Sequence, residues 1–236
     1  FLSKEFGYDD LSWIGLLSAV GDMQNTTTGH FEGLNEIIQQ DAIDGGYLEV
    51  TKNDLNIYGR QTRPLFVALS YFSDVKLPIT NNTNQTMAVL EELGIEEKHN
   101  RKTLDQLTME DKGKLYQYLS GSIAQAVPGK YVKYISRLIL GDSYTFLQED
   151  EGSFLRDASE FSTAMNACGR NHKEEIAMEV LKGDRIESLD DLEAVSLEHR
   201  RNIAQAIEKV TADAESNIIE LENLQYFDGT GIKPER

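Results

Sequence analysis

Residues 108–127 read TMEDKGKLYQYLSGSIAQAV, and this stretch sets the character of the chain. Thr108 introduces it, Glu110 and Asp111 place acid in its first turn where the helix dipole favours negative charge, and helical periodicity continues to its end. Just upstream, NQTMAVLEELGI (84–95) carries the same period. Together they make residues 84–140 a helical subregion set between glycine-rich segments.

The same region holds an anomaly of charge. The 236 residues carry a net charge of −17, which argues against a simple nucleic-acid binder, because a phosphate-binding surface needs Lys and Arg to replace released counterions. Yet from Lys112 to Gly141 there is no acid, against Lys112, Lys114, Lys130, Lys133 and Arg137. Within PGKYVKYISR (128–137), Lys130, Lys133 and Arg137 alternate with Tyr131 and Tyr134, so one face offers cations beside rings. The ordinary reading of such a patch is a solvated helix face with half-buried tyrosines.

Outward from there the chain is mostly helical. Asp9 or Asp10 is placed to cap a helix through Leu11, Ile14, Leu17 and Val20 that ends near Gly21. A second helix is expected over residues 31–42, stopped by Gly45 and Gly46. YLEVTKNDLNIYG (47–59) alternates and reads as a small hairpin. Pro64 opens the next helix, where its missing N–H costs nothing. DSYTFLQ (142–148) suggests a strand, and Asp157 or Ser159 opens a helix that stops at Gly169. The last periodic run, about 188–227, reads as one helix roughly 60 Å long, with ten acids against three bases between Glu187 and Glu222. Its exposed side is expected to be a solvated acidic face, with docking of a basic partner as the alternative.

With 40% hydrophobic residues the chain can bury a core as one large domain or two small ones. No apolar run has the length to span a bilayer, no signal-like segment opens the chain, and the single Cys168 leaves no internal disulfide framework, so a cytoplasmic protein with no membrane contact is expected. The Asn-x-Thr triplets at Asn25, Asn81 and Asn84 are then chance matches. A start at Phe1 and the turn-rich end FDGTGIKPER read as those of a fragment.

Spacing alone yields little chemistry. His30, His99, His172 and His199 form no zinc pattern, and there is neither a phosphate loop nor a Gly-x-Ser-x-Gly elbow. The signals left are Asp22 after Gly21, Arg60 and Arg63 in GRQTRP, and Arg170 in NACGR. A lone Asp after Gly is ordinarily a cap or turn residue, whereas an Arg at a helix end can hold phosphate through two parallel hydrogen bonds.

In order along the chain, LSAVGDMQ (17–24), GRQTRPLFVALSYFSD (59–74), LRDASEFSTAMNACGRN (155–171) and AMEVLKGDR (177–185) resemble the archaeal RecJ-like nucleases of the DHH phosphoesterase superfamily over nearly the whole chain. That resemblance implies an α/β fold, predominantly helical here, in an enzyme that hydrolyses single-stranded DNA or RNA from an end with two divalent metals, Mn2+ or Mg2+. It further implies a long helix joining the DHH domain to a smaller C-terminal domain, an insertion in the DHH domain, and, in some members, association with the replication factor GINS.

Carried over by residue, Asp22 matches the last aspartate ligand of the metal centre, where carboxylates hold the cations that activate water. Arg170 with Asn166 matches the motif that contacts substrate phosphate, and Arg60, Arg63, Arg156 and His172 lie within matching segments. The Asp-x-Asp and Asp-His-His motifs are absent and should precede Phe1, and the glycine- and histidine-rich motif should follow Arg236. The expected organisation is thus the second half of a DHH domain (1–83), the insertion (84–140), a return to the DHH domain (141–186), a connecting helix (187–227) and the start of a linker (228–236). These 236 residues alone are expected to bind manganese weakly and not to cut DNA. Two other readings stand beside this one: a module that docks on a GINS-like partner, and a DHH phosphoesterase acting on cyclic dinucleotides, short oligonucleotides or pyrophosphate.

Overall fold

The computed structural model describes residues 9–95, 102–211, 218–230 and 232. They are mostly helical, with small two-stranded antiparallel sheets, an arrangement compatible with an α/β DHH-type domain. No helix among the described residues is long and apolar enough to cross a membrane. The chain divides into two units, residues 1–162 and 163–236.

In the first unit, α1 (Ser12–Gly21) follows a 3-10 turn at Asp9–Leu11 and packs on α2 (Leu34–Asp44). Leu11 holds the N-cap position of α1 with no side-chain cap bond, so Asp10 lies one residue too early for the expected capping role. Trp13 of α1 packs edge-on against Phe146 at 5.6 Å and stacks with Phe161 at 6.3 Å, while Phe31 lies 5.0 Å from Tyr144. These aromatic contacts, with Leu16 and Leu17, make one apolar centre.

The two strands β1 (Leu48–Leu55) and β2 (Leu140–Phe146) pair antiparallel. The expected hairpin over 47–59 is therefore a single strand whose partner lies about ninety residues on, whereas the strand expected at 142–148 is present. The Lys-Asn-Asp triplet makes a bulge and not a turn: Asn53 takes φ +51°, and the pairing skips from Thr51–Ser143 to Asp54–Gly141. Asp142 fixes the extra residue by accepting from the Asn53 amide at 3.1 Å and pairing with Lys52 at 3.1 Å.

Between these strands the chain builds a second apolar centre. Helices α3 (Leu65–Ser70), α4 (Thr83–Glu92), α5 (Met109–Ala126) and α6 (Ile135–Ile139) bury Leu65, Leu69, Leu90, Leu115, Leu119, Ile123 and Ile139 among one another. Asn82 caps α4 by accepting from the Gln85 amide at 3.0 Å, and Thr108 caps α5 by accepting from the Asp111 amide at 3.1 Å. This core draws on residues from Leu55 to Ile139. Residues on both sides of position 84 share it, since α3 and Ile79 pack into the same centre as α4 and α5.

Helix α7 (Ala158–Arg170) opens as expected at Asp157, whose Oδ1 accepts from the Ser159 and Glu160 amides, both at 3.0 Å. In the second unit, α8 (Glu174–Leu181) packs on α9 (Glu187–Thr211), with Val180 and Leu192 buried. Asp184 holds the entry to α9, accepting from the Ile186 amide at 2.9 Å and the Ser188 hydroxyl at 2.8 Å; these bonds keep its carboxyl below its ordinary range. The 40-residue helix expected over 188–227 is shorter. Residues 212–217 lie outside the described residues, and beyond them β3 (Ile218–Glu220) and β4 (Gln225–Phe227) form a hairpin, closed by the Leu221 amide donating to Leu224 O at 2.7 Å. The isoleucine pair and aromatic pair that continued a helical count prefer extended backbone. At 25 residues, α9 spans roughly 38 Å.

Candidate functional site

Where α1 ends, Asp22 follows Gly21 with its amide donating to Ser18 O at 3.0 Å. It is exposed, and its Oδ2 accepts from Gln24 Nε2 at 2.7 Å; Gln24 Oε1 accepts in turn from Asn35 on α2. The segment around Asp22 borders a cleft of about 340 Å³. Val20 and Met23, on either side of Asp22, are on the cleft wall, with Asn25, Asn56, Tyr58, Tyr71, Arg137 and Asp157. The cleft thus joins the end of α1 to the inserted subdomain across the neck made by β1 and β2.

Arg60 lies at the base of this cleft and does not present a free cation. It is only 5% exposed, meets Asp54 at 3.3 Å and Asp157 at 3.6 Å, and bonds Asp105 through Nη2. The Asp157 contact, from Arg60 Nε, is longer than a hydrogen bond and works through charge. Burial alone would lower the guanidinium pKa, but Asp157, Asp105 and Asp54 outweigh it and the net shift is upward. Arg60, expected from its segment as a phosphate contact, is thus engaged by three carboxylates of its own chain. Asp54 has a second cation in Lys112 at 2.8 Å. Buried Glu160 accepts from the Gln61 amide at 3.0 Å and from the Thr62 hydroxyl. Two cations thus face four carboxylates, and one of these resists ionisation: burial pushes Asp157 up to about 6 against the pull of Arg60, with Glu160 adding repulsion.

Arg63 is stacked between the rings of Tyr58 and Tyr71, 4.8 and 4.7 Å from their centroids. Gly59, at φ +85°, lets the chain turn so that the Arg63 stem lies against it; a Cβ there would collide with that stem. Arg156 donates from Nη1 to Glu149 O at 2.6 Å and lines a second cleft of about 270 Å³ with Thr51, Thr103 and Glu151. Lys130, Lys133 and Arg137 are exposed on the 3-10 turn Gly129–Tyr134 and on α6.

Asn166, Arg170 and His172 fall in the second unit. Asn166 and Arg170, four residues apart on α7, share one helix face and are both exposed. His172 lies past the helix end at φ +56°, 4.0 Å from Glu174. Cys168 between them is buried, and burial, with Glu175, pushes its thiol up to about 11, which makes it a packing residue and not a nucleophile.

Among the described residues no group of three or more His, Cys, Asp or Glu is arranged to hold a metal ion. Asp22, exposed and bonded to Gln24, does not by itself fit a two-metal centre. Sequence reasoning missed Asp54, Asp105 and Glu160 altogether: Asp54 meets Arg60 six positions on, but the other partners of these acids lie 44 to 99 positions away, beyond any local signal. It had marked Asp157 only as a cap.

Residues 57–139 match the DHH-CID domain, nearly the segment that builds the inserted core. An uncharacterized protein of Methanocaldococcus jannaschii is 27% identical over 234 residues, covering 97% of this chain and 45% of that protein. A second uncharacterized protein of the same organism is 32% identical over 97 residues, 41% of this chain and 29% of that protein. The chain spans less than half the length of these relatives. The family match covers residues 57–139, about a third of the chain, and makes that segment similar to the DHH-CID domain.

Proposed function

We propose that the chain is part of a divalent-metal-dependent DHH phosphodiesterase of the archaeal RecJ-like type, a cytoplasmic exonuclease that shortens single-stranded DNA or RNA from an end. The observation that carries this reading is the DHH-CID match to a subdomain framed by the GDMQ and NACGR segments in the order that the resemblance requires. Mn2+ or Mg2+ would supply the activated water and stabilise the leaving oxygen. The described residues do not assemble a centre for it, so the chain's own share is binding and positioning. Asp22 offers one carboxylate beside the cleft. Arg170, with Asn166 one turn away, offers a planar fork for a substrate phosphate.

The test uses the full-length protein with labelled single strands and manganese. Asp22→Ala should abolish nucleotide release with the fold retained; release at the wild-type rate would refute the assignment. The 236 residues alone should bind manganese weakly and release nothing, and robust manganese-dependent release by them would overturn this division of labour.

A second reading, docking onto a GINS-like replication factor, is favoured by the exposed apolar residues Leu197, Ile203 and Ile207 on acidic α9 and by the self-contained core of residues 55–139. Deleting residues 56–139 and joining the neck strands by a short turn should then abolish capture of the partner. Unchanged capture would exclude the inserted subdomain as the docking surface.

A further inference from the structure

The acid-free span of the chain forms a continuous cationic and aromatic strip on the inserted subdomain. Lys130 Nζ lies 4.9 Å over the Tyr131 ring, Lys133 Nζ lies 4.9 Å over Tyr134, and the Arg137 guanidinium reaches the same Tyr134 ring at 5.9 Å. All five side chains are exposed, the rings by 47% and 42%, so the tyrosines are not the half-core residues of the ordinary reading. No carboxylate among the described residues pairs with Lys130, Lys133 or Arg137. Lys112, Lys114 and Lys182, by contrast, each meet an acid. Arg137, at one end of the strip, also lines the 340 Å³ cleft whose wall carries the Tyr58–Arg63–Tyr71 stack and the two neighbours of Asp22.

From this arrangement we infer that the Lys130–Arg137 strip is an accessory binding site for single-stranded nucleic acid, which leads a strand across the neck into the cleft beside Asp22. This rests on the exonuclease reading and adds a path for the substrate. Three cations answer phosphates spaced along a strand, and two tyrosine rings between them offer faces on which unpaired bases stack without regard to sequence. A duplex would present phosphates but no free base faces. An acidic protein segment would use the cations and leave the rings with no role, which is why the alternation favours nucleic acid.

The experiment is fluorescence anisotropy on the full-length protein without divalent metal, so that nothing is cut, using a labelled oligothymidylate of roughly 20 nucleotides, long enough to pass the strip. Lys130→Ala/Lys133→Ala/Arg137→Ala should weaken binding at least about tenfold and reduce the slope of log affinity against log salt by about 2, the value for three phosphate contacts on a single strand. Tyr131→Ala/Tyr134→Ala should also weaken it by about tenfold or more, with the salt slope unchanged. Wild-type affinity and slope in the charge variant would overturn the site, as would full affinity in the ring variant. Polyglutamate bound through the same cations, with the oligonucleotide unaffected by either variant, would assign the strip to an acidic protein and refute the inference. The nuclease reading is scored separately: manganese-dependent nucleotide release by a protein whose neutralised strip costs no affinity sinks the strip alone. Strip-dependent binding by a protein that releases nothing sinks the nuclease and leaves the strip.

Discussion

Replacing Asp157 by Asn separates the two jobs of the most buried acid at the neck. Asn keeps an oxygen for the Ser159 and Glu160 amides and is as good a helix cap as Asp, so α7 should start unchanged. What is removed is a charge that the site disfavours. Its folded pKa stands at about 6 against an ordinary 3.8, a rise of about two units, each worth about 1.4 kcal/mol. With the folded value above the unfolded one, the native state holds the proton more tightly. Its contribution is therefore complete below pH 3.8 and is lost as pH rises through about 6. The wild type should lose about 3 kcal/mol from this group across that window, and the variant none. The attraction of Arg60 is already contained in that figure, since the shift is a net one. Urea unfolding followed by circular dichroism, repeated from about pH 4.5 to 8, gives the difference between variant and wild type, in which other carboxylates cancel. The difference should grow in the variant's favour with pH and level off above about 7. A variant that is less stable than wild type near neutrality would refute the reasoning and make the Arg60–Asp157 contact a net stabilising ion pair.

Removing the cation instead should do the opposite. Arg60→Met leaves Asp54, Asp105 and Asp157 facing one another, and a loss of about 3–5 kcal/mol in chemical denaturation is expected, less at pH 5 where Asp157 can take up a proton. Leu119→Ala, at a fully buried position in α5, should cost about 2–5 kcal/mol, read as faster hydrogen exchange across residues 55–139. Asp22→Ala, at an exposed helix end, should change stability by less than about 0.5 kcal/mol in thermal unfolding, so that any loss of activity in the full-length protein reports on chemistry.

Helix existence was legible in the sequence because periodicity and caps are local: Thr108 and Asp157 sit one residue before their helices and bond amides within three positions. What sequence could not give was the partner of a strand. β1 alternates and contains a turn-like triplet, so a local hairpin was the natural expectation, but its mate lies beyond the inserted helices and Asn53 spends its left-handed backbone on a bulge. By the same limit, nothing in the local sequence of α3 marks the core that it shares with α4 and α5. For the candidate site, local signals singled out Asp22, Arg60, Arg63, Arg170 and the Lys130–Arg137 run as candidates. Arg60 looked like the others, and only the fold surrounds it with acids.

That enclosure bears on how the insertion is held. Two strands alone would leave a subdomain of some eighty residues free to bend about the neck, since an isolated two-stranded ribbon is marginally stable and strongly twisted. The buried charges resist this. Arg60, Asp105 and Lys112 belong to the segment between the strands, Asp54 to β1, and Asp157 and Glu160 to the start of α7, so the network spans the neck. Buried ion pairs are poor sources of stability, because desolvation offsets most of their attraction, but each admits few geometries. Apolar replacements of similar volume could keep the core intact while letting the neck slide. An Arg60→Met/Lys112→Met/Asp54→Leu/Asp157→Asn variant, which removes both cations together with two of the acids and keeps the α7 cap, should therefore unfold near the wild-type midpoint. It should nevertheless bind a long single strand less tightly than wild type, since strip and cleft would no longer be held in line. Loss of stability without loss of binding would place the network's role in folding and not in orientation.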